Sequence, residues 1–538
     1  MTELTISPEE STPAESKSNI LNDVLQRPFI ASLHLDWEKA IYLLFIIIAI
    51  LSRFWGLGDR VMSHDESLHT QFSYQYYDGQ GYNHTPLMHG PFLFHITSLS
   101  YWLFGASDFS ARLPIAIFGI ILILIPYFLR SWIGRIGALF ASFFFLISPY
   151  VTYYSRYIRH DVYVIMWALI IFIAIWYYFR ERKDKYLYWF GAGLALMFAT
   201  KEVAFIYVAI FGSYLIIRLL VKLWHAPWFR NNLVQIRTPM LVVLAGLIIV
   251  GIGLAGQRAA TKAPETAETT ATTEGFAADP NAEPTDTAET ENQGNLETIM
   301  RWSQIIGIGV LGLGLFLTIR AMRPELDEYP EFDLIILFTT LILPMVSPLL
   351  TTIAGWNPRD YNLNQCILDG QETMSSLSIL FARMGNATCW ESYFQSGIVR
   401  SGFFLMIALI ISILLGLWWN RRRWLIIAVI FYAFFTLLYT SMFTNMGGFT
   451  SGIIGSLGYW LEQQAVQRGS QPIFYYLIVV PFYEFLPLIF SILAVRLWTQ
   501  KKNTNEVLGY WVILLLLMFL LFSFANWVYI NTIGDPNS

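Results

Sequence analysis

The chain has 538 residues, 55% of them hydrophobic and only 13% charged, with a formal net charge of −4. Soluble domains average roughly 25% charged residues, so a water-soluble globular enzyme is excluded, and so small and dispersed a charge argues against a nucleic-acid partner. Apolar runs of about 17–25 residues, the span of a hydrocarbon core, recur along the whole length, and 17% aromatic residues suit Trp and Tyr belts at the two interfaces.

In chain order, residues 1–37 read as a disordered cytoplasmic tail, with no short apolar core and cleavage site of a signal peptide. An uncleaved first span follows at 40–55. Behind it comes a polar loop, Ser63-His64-Asp65-Glu66-Ser67-Leu68-His69, then an aromatic stretch with Phe72, Tyr74, Tyr76 and Tyr77 that suits packing on a membrane surface. Pro91–Gly105 is apolar but too short to cross, so it reads as a juxtamembrane or re-entrant helix. Further spans are expected at 108–129, 134–153, 162–179, 186–200, 203–222, 239–255, 301–320, 333–353, 399–419, 424–441, 473–497 and 508–530. The fold class is therefore an all-α integral membrane protein, a polytopic bundle of about thirteen transmembrane helices.

Residues 256–298, rich in Thr, Ala, Glu and Pro, read as a disordered outer loop. Outer loops are also expected at 354–398 and 442–471. The first of these carries both cysteines, Cys366 and Cys389, a pair suited to a disulfide outside the cytoplasm. Lys and Arg crowd the alternate connections: Arg130/Arg135, Arg180 to Lys185, Arg218 to Arg237, Arg320/Arg323, Arg421 to Arg423, and Arg496 to Lys502. By the positive-inside rule that side is cytoplasmic. The N-terminus then lies inside, and the 63–69 loop, the turn at 155–161 and the Lys201-Glu202 turn lie outside, in a multi-pass protein of the cell (plasma) membrane.

The chemistry gathers on that outer face. His64, His69, His84, His89, His95 and His160 all map there, and with Asp65, Glu66 and Asp161 they offer oxygen and nitrogen donors for a divalent metal (Mg, Mn or Zn). The expected ligands are Asp65, His89, Asp161 and Glu202; no zinc-type spacing is present. A partly desolvated carboxylate such as Asp65 serves as a general base. Arg156 and Arg159 in the turn Ser155–Asp161, with Lys201, suit a phosphate, although snorkelling arginines at an interface read the same way. Gln463, Arg468 and Gln471 form a second polar cluster before a span, suited to a sugar or phosphate or simply to an interfacial helix.

The ordered set of motifs resembles the GT-C glycosyltransferases related to dolichyl-phosphate-mannose protein mannosyltransferases and lipid A aminoarabinose transferases. It comprises Asp65-Glu66, His89-Gly90-Pro91-Phe92-Leu93, Leu103-Phe104-Gly105, Ala111-Arg112-Leu113-Pro114, Ser155-Arg156 with Asp161, and Ala199-Thr200-Lys201. Tyr459-Trp460, Gln463, Arg468-Gly469, Gln471-Pro472, Tyr475-Tyr476 and Tyr483-Glu484 resemble a prokaryotic, flippase-associated branch. Gly90 and Glu202 depart from that pattern, standing where proline and glycine are common.

The resemblance implies a catalytic transmembrane module over 38–255 and a second membrane module over 299–538. It also implies transfer of a sugar from a polyprenyl-phosphate donor to an extracytoplasmic acceptor, with Asp65, Glu66 and Asp161 as catalytic residues. A flippase of polyprenyl-linked glycans, or a non-enzymatic assembly partner, is the alternative. The first of these expects ionisable side chains at mid-span, and the spans here carry almost none.

Overall fold

A computed structural model describes residues 23–30, 35–231, 233–261, 287–359, 376–463 and 481–500, with Cys366, Leu368, Gly370 and Met374. Seven of its helices are long and apolar enough to cross a membrane, so the chain is a multi-pass, all-α membrane protein. Two of the seven contain a break that makes each a pair of spans: Gly134 at φ 75° within Asp108–Ile147, and Asn420 at φ −157°, ψ 104° within Gly397–Tyr439. The expected span at 508–530 lies outside the described residues.

The chain divides into two compact units. The first holds Met1–Ile210, Val429–Phe449 and Val466–Ser538. Its described helices include α1 (Trp37–Phe54), α2 (His64–Tyr77), α3 (Phe92–Phe104), α4 (Asp108–Leu124), α5 (Arg130–Ile147), α6 (Pro149–Tyr154), α7 (Asp161–Glu181) and α8 (Asp184–Phe198). The tail is more ordered than expected: Pro28–Ile30 pairs antiparallel with Leu35–Asp36, and Leu25 is buried against Tyr42 and Leu139. Leu25 supplies the apolar anchor that a disordered tail lacks.

Polar side chains start and end these helices. Asp36 accepts from the amide of Lys39 at the head of α1, and Ser107 and Ser110 form a capping box on α4. The fully buried Arg53 bonds the carbonyls of Phe145 and Leu146 near the C-terminus of α5. Those carbonyls have no partner within their own helix, and a cation there also opposes the negative end of the dipole. Gly119 lets α4 approach the chain closely, since a Cβ at that position would collide with the Ser155 side chain. With 13 residues, α3 reaches about 20 Å, short of the ~30 Å core, as expected of a juxtamembrane helix.

The second unit, Phe211–Ala428 with Thr450–Ala465, contains a helical hairpin, Leu233–Thr261 against Thr287–Ala321. Gly246, Gly307 and Gly314 sit so close to the facing helix that a Cβ would overlap it, which is small-residue packing of membrane helices. These helices run further into the 256–298 segment than the sequence suggests; residues 262–286 are outside the described ones. Buried Glu331 is held by Arg218 and by Lys222 Nζ at 2.7 Å, and the Trp419 indole donates to Asp333 at 2.9 Å. Cys366 and Cys389 are joined as a disulfide.

Candidate active site

The stretch expected as a polar loop is instead the first turn of α2. Ser63 caps it, its hydroxyl accepting from the Glu66 amide while the Glu66 carboxylate accepts from the Ser63 amide. Both carboxylates sit in the first turn, where the helix dipole favours negative charge. Adjacent residues on a helix point about 100° apart, and the two acids divide accordingly. Glu66 turns inward to complete burial, whereas the Asp65 side chain remains 45% exposed.

Glu66 is fully committed to structure. It accepts from Arg112 Nε at 3.0 Å and Nη2 at 3.2 Å, from Arg60 Nη2 at 2.8 Å, and from the amides of Ser63 and Ile158, each at 3.2 Å. Burial pushes its carboxyl upward, but the Arg112 bonds and the two amides outweigh that and hold it below the usual range. Arg112 also donates to the carbonyls of Leu57 and Arg60. The sequence motif around Arg112 was visible, but its role was not. The available signal was a charge near the start of an apolar helix, which demands a partner. Arg156 is likewise spoken for: its guanidinium bonds the carbonyls of Ser52, Trp55 and Gly56 at the end of α1, and not an open phosphate site.

The remaining candidates meet. Arg159 lies 3.4 Å from Asp65 and 3.9 Å from Asp161, and Lys201 Nζ is 2.8 Å from the other oxygen of Asp161. This gives a continuous sequence of charges, Asp65–Arg159–Asp161–Lys201, drawn from α2, the head of α7 and the turn after α8. Asp65, Arg159 and Asp161 are each more than a third exposed and Lys201 18% exposed, so a ligand can reach them.

The histidines collect beside this row as packed rings. His69 and His160 are 5.1 Å apart between centroids, and His160 and His89 5.3 Å, all edge to face. Burial pushes the His69 imidazole down to about 4 and His84 to about 3, and lowers His160 strongly. These rings are therefore neutral, and the positive charge of the site comes from Arg159 and Lys201. His89 adopts φ 65°, a left-handed conformation uncommon for a non-glycine residue. Glu202, bonded to His89 Nδ1 at 2.6 Å, and His84, bonded to the His89 carbonyl at 3.1 Å, hold it there.

The expected metal set does not assemble. Among the described residues no three His, Cys, Asp or Glu side chains converge on a cation position. Asp65 and Asp161 are already paired with Arg159 and Lys201, while Glu202 holds His89. Three buried polar atoms, Glu202 Oε1, His160 Nε2 and His69 Nδ1, lack partners among the described residues, but they do not make such a set. Gln463 ends a helix, Ser456–Gln463, of the second unit; Arg468 and Gln471 lie outside the described residues.

Gly90 has a structural reason. Its amide donates to the Thr200 carbonyl at 3.1 Å and that of Phe92 to Ala199 at 2.8 Å, joining the His89 turn to the Lys201 turn. A Cβ on Gly90 would overlap the Ala199 carbonyl. Gly90→Ala is therefore expected to lower stability by about 1–3 kcal/mol, read as an earlier thermal unfolding of the detergent-solubilised protein; an unchanged transition would refute this contact.

The structure is similar to ArnT from Cupriavidus metallidurans bound to undecaprenyl phosphate, at 15% identity over 80% of each chain and a TM-score of 0.30. It is also similar to the archaeal oligosaccharyltransferase AglB from Archaeoglobus fulgidus in complex with an inhibitory peptide and a dolichol-phosphate. There the identity is 16%, covering 84% of this chain and 54% of that one, with a TM-score of 0.32. No curated protein matches the chain. Residues 88–251, which include the His89 turn, Arg159, Asp161 and Lys201, match the dolichyl-phosphate-mannose-protein mannosyltransferase family. Over that segment, and not over the rest of the chain, the protein is similar to a family of membrane mannosyltransferases.

Proposed function

We propose that the protein transfers a sugar from a polyprenyl-phosphate donor to an acceptor hydroxyl on the extracytoplasmic face, with inversion at the anomeric carbon. The observation that carries this reading is Arg159 lying between Asp65 and Asp161, with Lys201 closing the row. A glycosyl phosphate needs a base for the incoming hydroxyl and cations for the departing phosphate, side by side, and this row supplies both.

In the resting site Asp65 is neutralised by Arg159. A donor phosphate, with more charge and a geometry suited to a guanidinium fork, competes for Arg159 and leaves Asp65 free to accept a proton. The acceptor oxygen then attacks the anomeric carbon as its proton passes to Asp65. The bond from that carbon to the phosphate oxygen breaks, and the polyprenyl phosphate departs with the electron pair against Arg159 and Lys201. Asp161 orients both cations. Glu66 and Arg156 support the site from beneath without touching substrate.

Charge and redox chemistry support the outer face. Asp161 begins α7, and Arg180, Arg182 and Lys183 follow at its far end, which by the positive-inside rule is cytoplasmic. Four candidate spans separate Lys201 from Cys366 along the chain, and an even number of crossings returns it to the side it left. A disulfide there fits an oxidising compartment. The two thiols are expected to take up a membrane-impermeant maleimide on intact cells only after reduction. Labelling that requires permeabilised cells would invert the topology.

The activity is tested by following labelled sugar from a polyprenyl-phosphate sugar in membranes with and without the chain. Label passing to an acceptor supports the reading; movement of intact donor between leaflets without transfer would replace it with lipid transport.

A further inference from the structure

Beside the charged row stands a cluster of tyrosines that the transfer chemistry does not use. Tyr150, Tyr153 and Tyr154 lie on α6 and Tyr157 in the turn that follows it. The Tyr150 and Tyr154 rings are parallel within 2° at 6.1 Å, and Tyr153 stacks on Tyr157 at 5.4 Å. Tyr483 extends the cluster, 5.2 Å from Tyr150. The Arg60 guanidinium lies over two of these rings, 5.6 Å from the Tyr153 centroid and 5.2 Å from that of Tyr157. Tyr153 and Tyr483 are about half exposed, at 49% and 54%.

The cluster is continuous with the candidate active site. The Tyr157 hydroxyl is 2.6 Å from Ser63 Oγ, the cap of the helix that carries Asp65. Tyr154 lies near enough to Asp161 and Arg159 for both charges to act on its phenol. An aromatic belt at the membrane boundary accounts for tyrosines at a helix end. It does not account for a guanidinium laid over two rings, or for a phenol bonded to the helix that positions the base.

We propose that these tyrosines and Arg60 form a saccharide platform that seats a sugar ring of the acceptor beside Asp65, so that the acceptor is a glycan. A pyranose presents an apolar C–H face and a rim of hydroxyls. Electron-rich ring faces meet the first, and phenol hydroxyls with a guanidinium meet the second. A polyprenyl tail would instead meet polar groups it cannot satisfy. The proposal rests on the transfer reading above, and deepens it by naming the acceptor class.

The test uses the full chain in lipid nanodiscs with methyl α-mannopyranoside and mannobiose as probes, read by saturation-transfer NMR. Saturation should reach the ring C–H protons of the probes. Tyr153→Ala should weaken binding on the order of tenfold, which corresponds to loss of about one stacking contact, while Tyr153→Phe keeps it. Probes that bind wild type and Tyr153→Ala equally, or that fail to bind wild type, overturn the platform. So does a Tyr153→Ala variant that loses retention of a fluorescent polyprenyl phosphate while still binding saccharide, which would make the cluster a lipid track. Transfer that survives Asp65→Asn defeats the catalytic reading but leaves the NMR result standing, so the two failures are distinguishable.

Discussion

Asp65→Asn is expected to slow sugar transfer by on the order of 10²–10⁴-fold, the contribution of a positioned general base, with the fold intact. The amide keeps the shape of the carboxylate but cannot take the acceptor proton. Stability should scarcely change, because Asp65 is 45% exposed and pairs with Arg159 at 3.4 Å, and exposed pairs of this kind contribute at most about 1 kcal/mol. Donor retention should hold or rise, since Arg159 no longer has to leave a carboxylate to meet phosphate. The measurement is the initial rate with labelled donor beside thermal unfolding of the same preparation. A rate within twofold of wild type in a folded variant would remove Asp65 as the base.

The adjacent carboxylates show where sequence reading stops. Asp65 and Glu66 are indistinguishable by type and position, and both stood as catalytic candidates. Their difference comes from helix geometry and from partners far along the chain, Arg112 and the Ile158 amide. The signal for the helix itself was present as Ser63 followed three residues later by Glu66. It was masked because α2 has no apolar stripe and is held mainly by tertiary contacts, such as Tyr74 against Tyr101 and Phe72 against Phe94.

Seven apolar helices among the described residues were readable from run length alone, including the two pairs that meet without a true loop at Gly134 and Asn420. The convergence of Asp65, Arg159, Asp161 and Lys201 followed from short-looped spans placing their turns together. A count of histidine donors on one face suggested a metal, whereas among the described residues no three donors converge and some of the rings bond backbone carbonyls. His84 on His89 and His95 on Leu438 are examples. Gly90, a departure from the family pattern when read as a letter, proves to be the residue that lets two site turns touch.

The largest loss of stability is expected from Glu66→Ala. The side chain is completely buried, and its removal leaves Arg112, 1% exposed, as an uncompensated buried cation. Breaking a buried pair in this way costs about 3–5 kcal/mol, whereas replacing both partners by apolar side chains of similar volume is often nearly neutral. Glu66→Ala should therefore unfold well below wild type in detergent, and Glu66→Leu combined with Arg112→Met should recover much of the difference. An Ala variant that melts with wild type would show that Arg60, Ser63 and Ile158 do not depend on this carboxylate. The same substitution releases the head of α2 from the Ile158 amide, and with it the register that holds Asp65 against Arg159. Transfer should therefore fall even in the fraction that remains folded. A surviving fold with full activity would mean that the charged row is positioned from α7 and Lys201 alone.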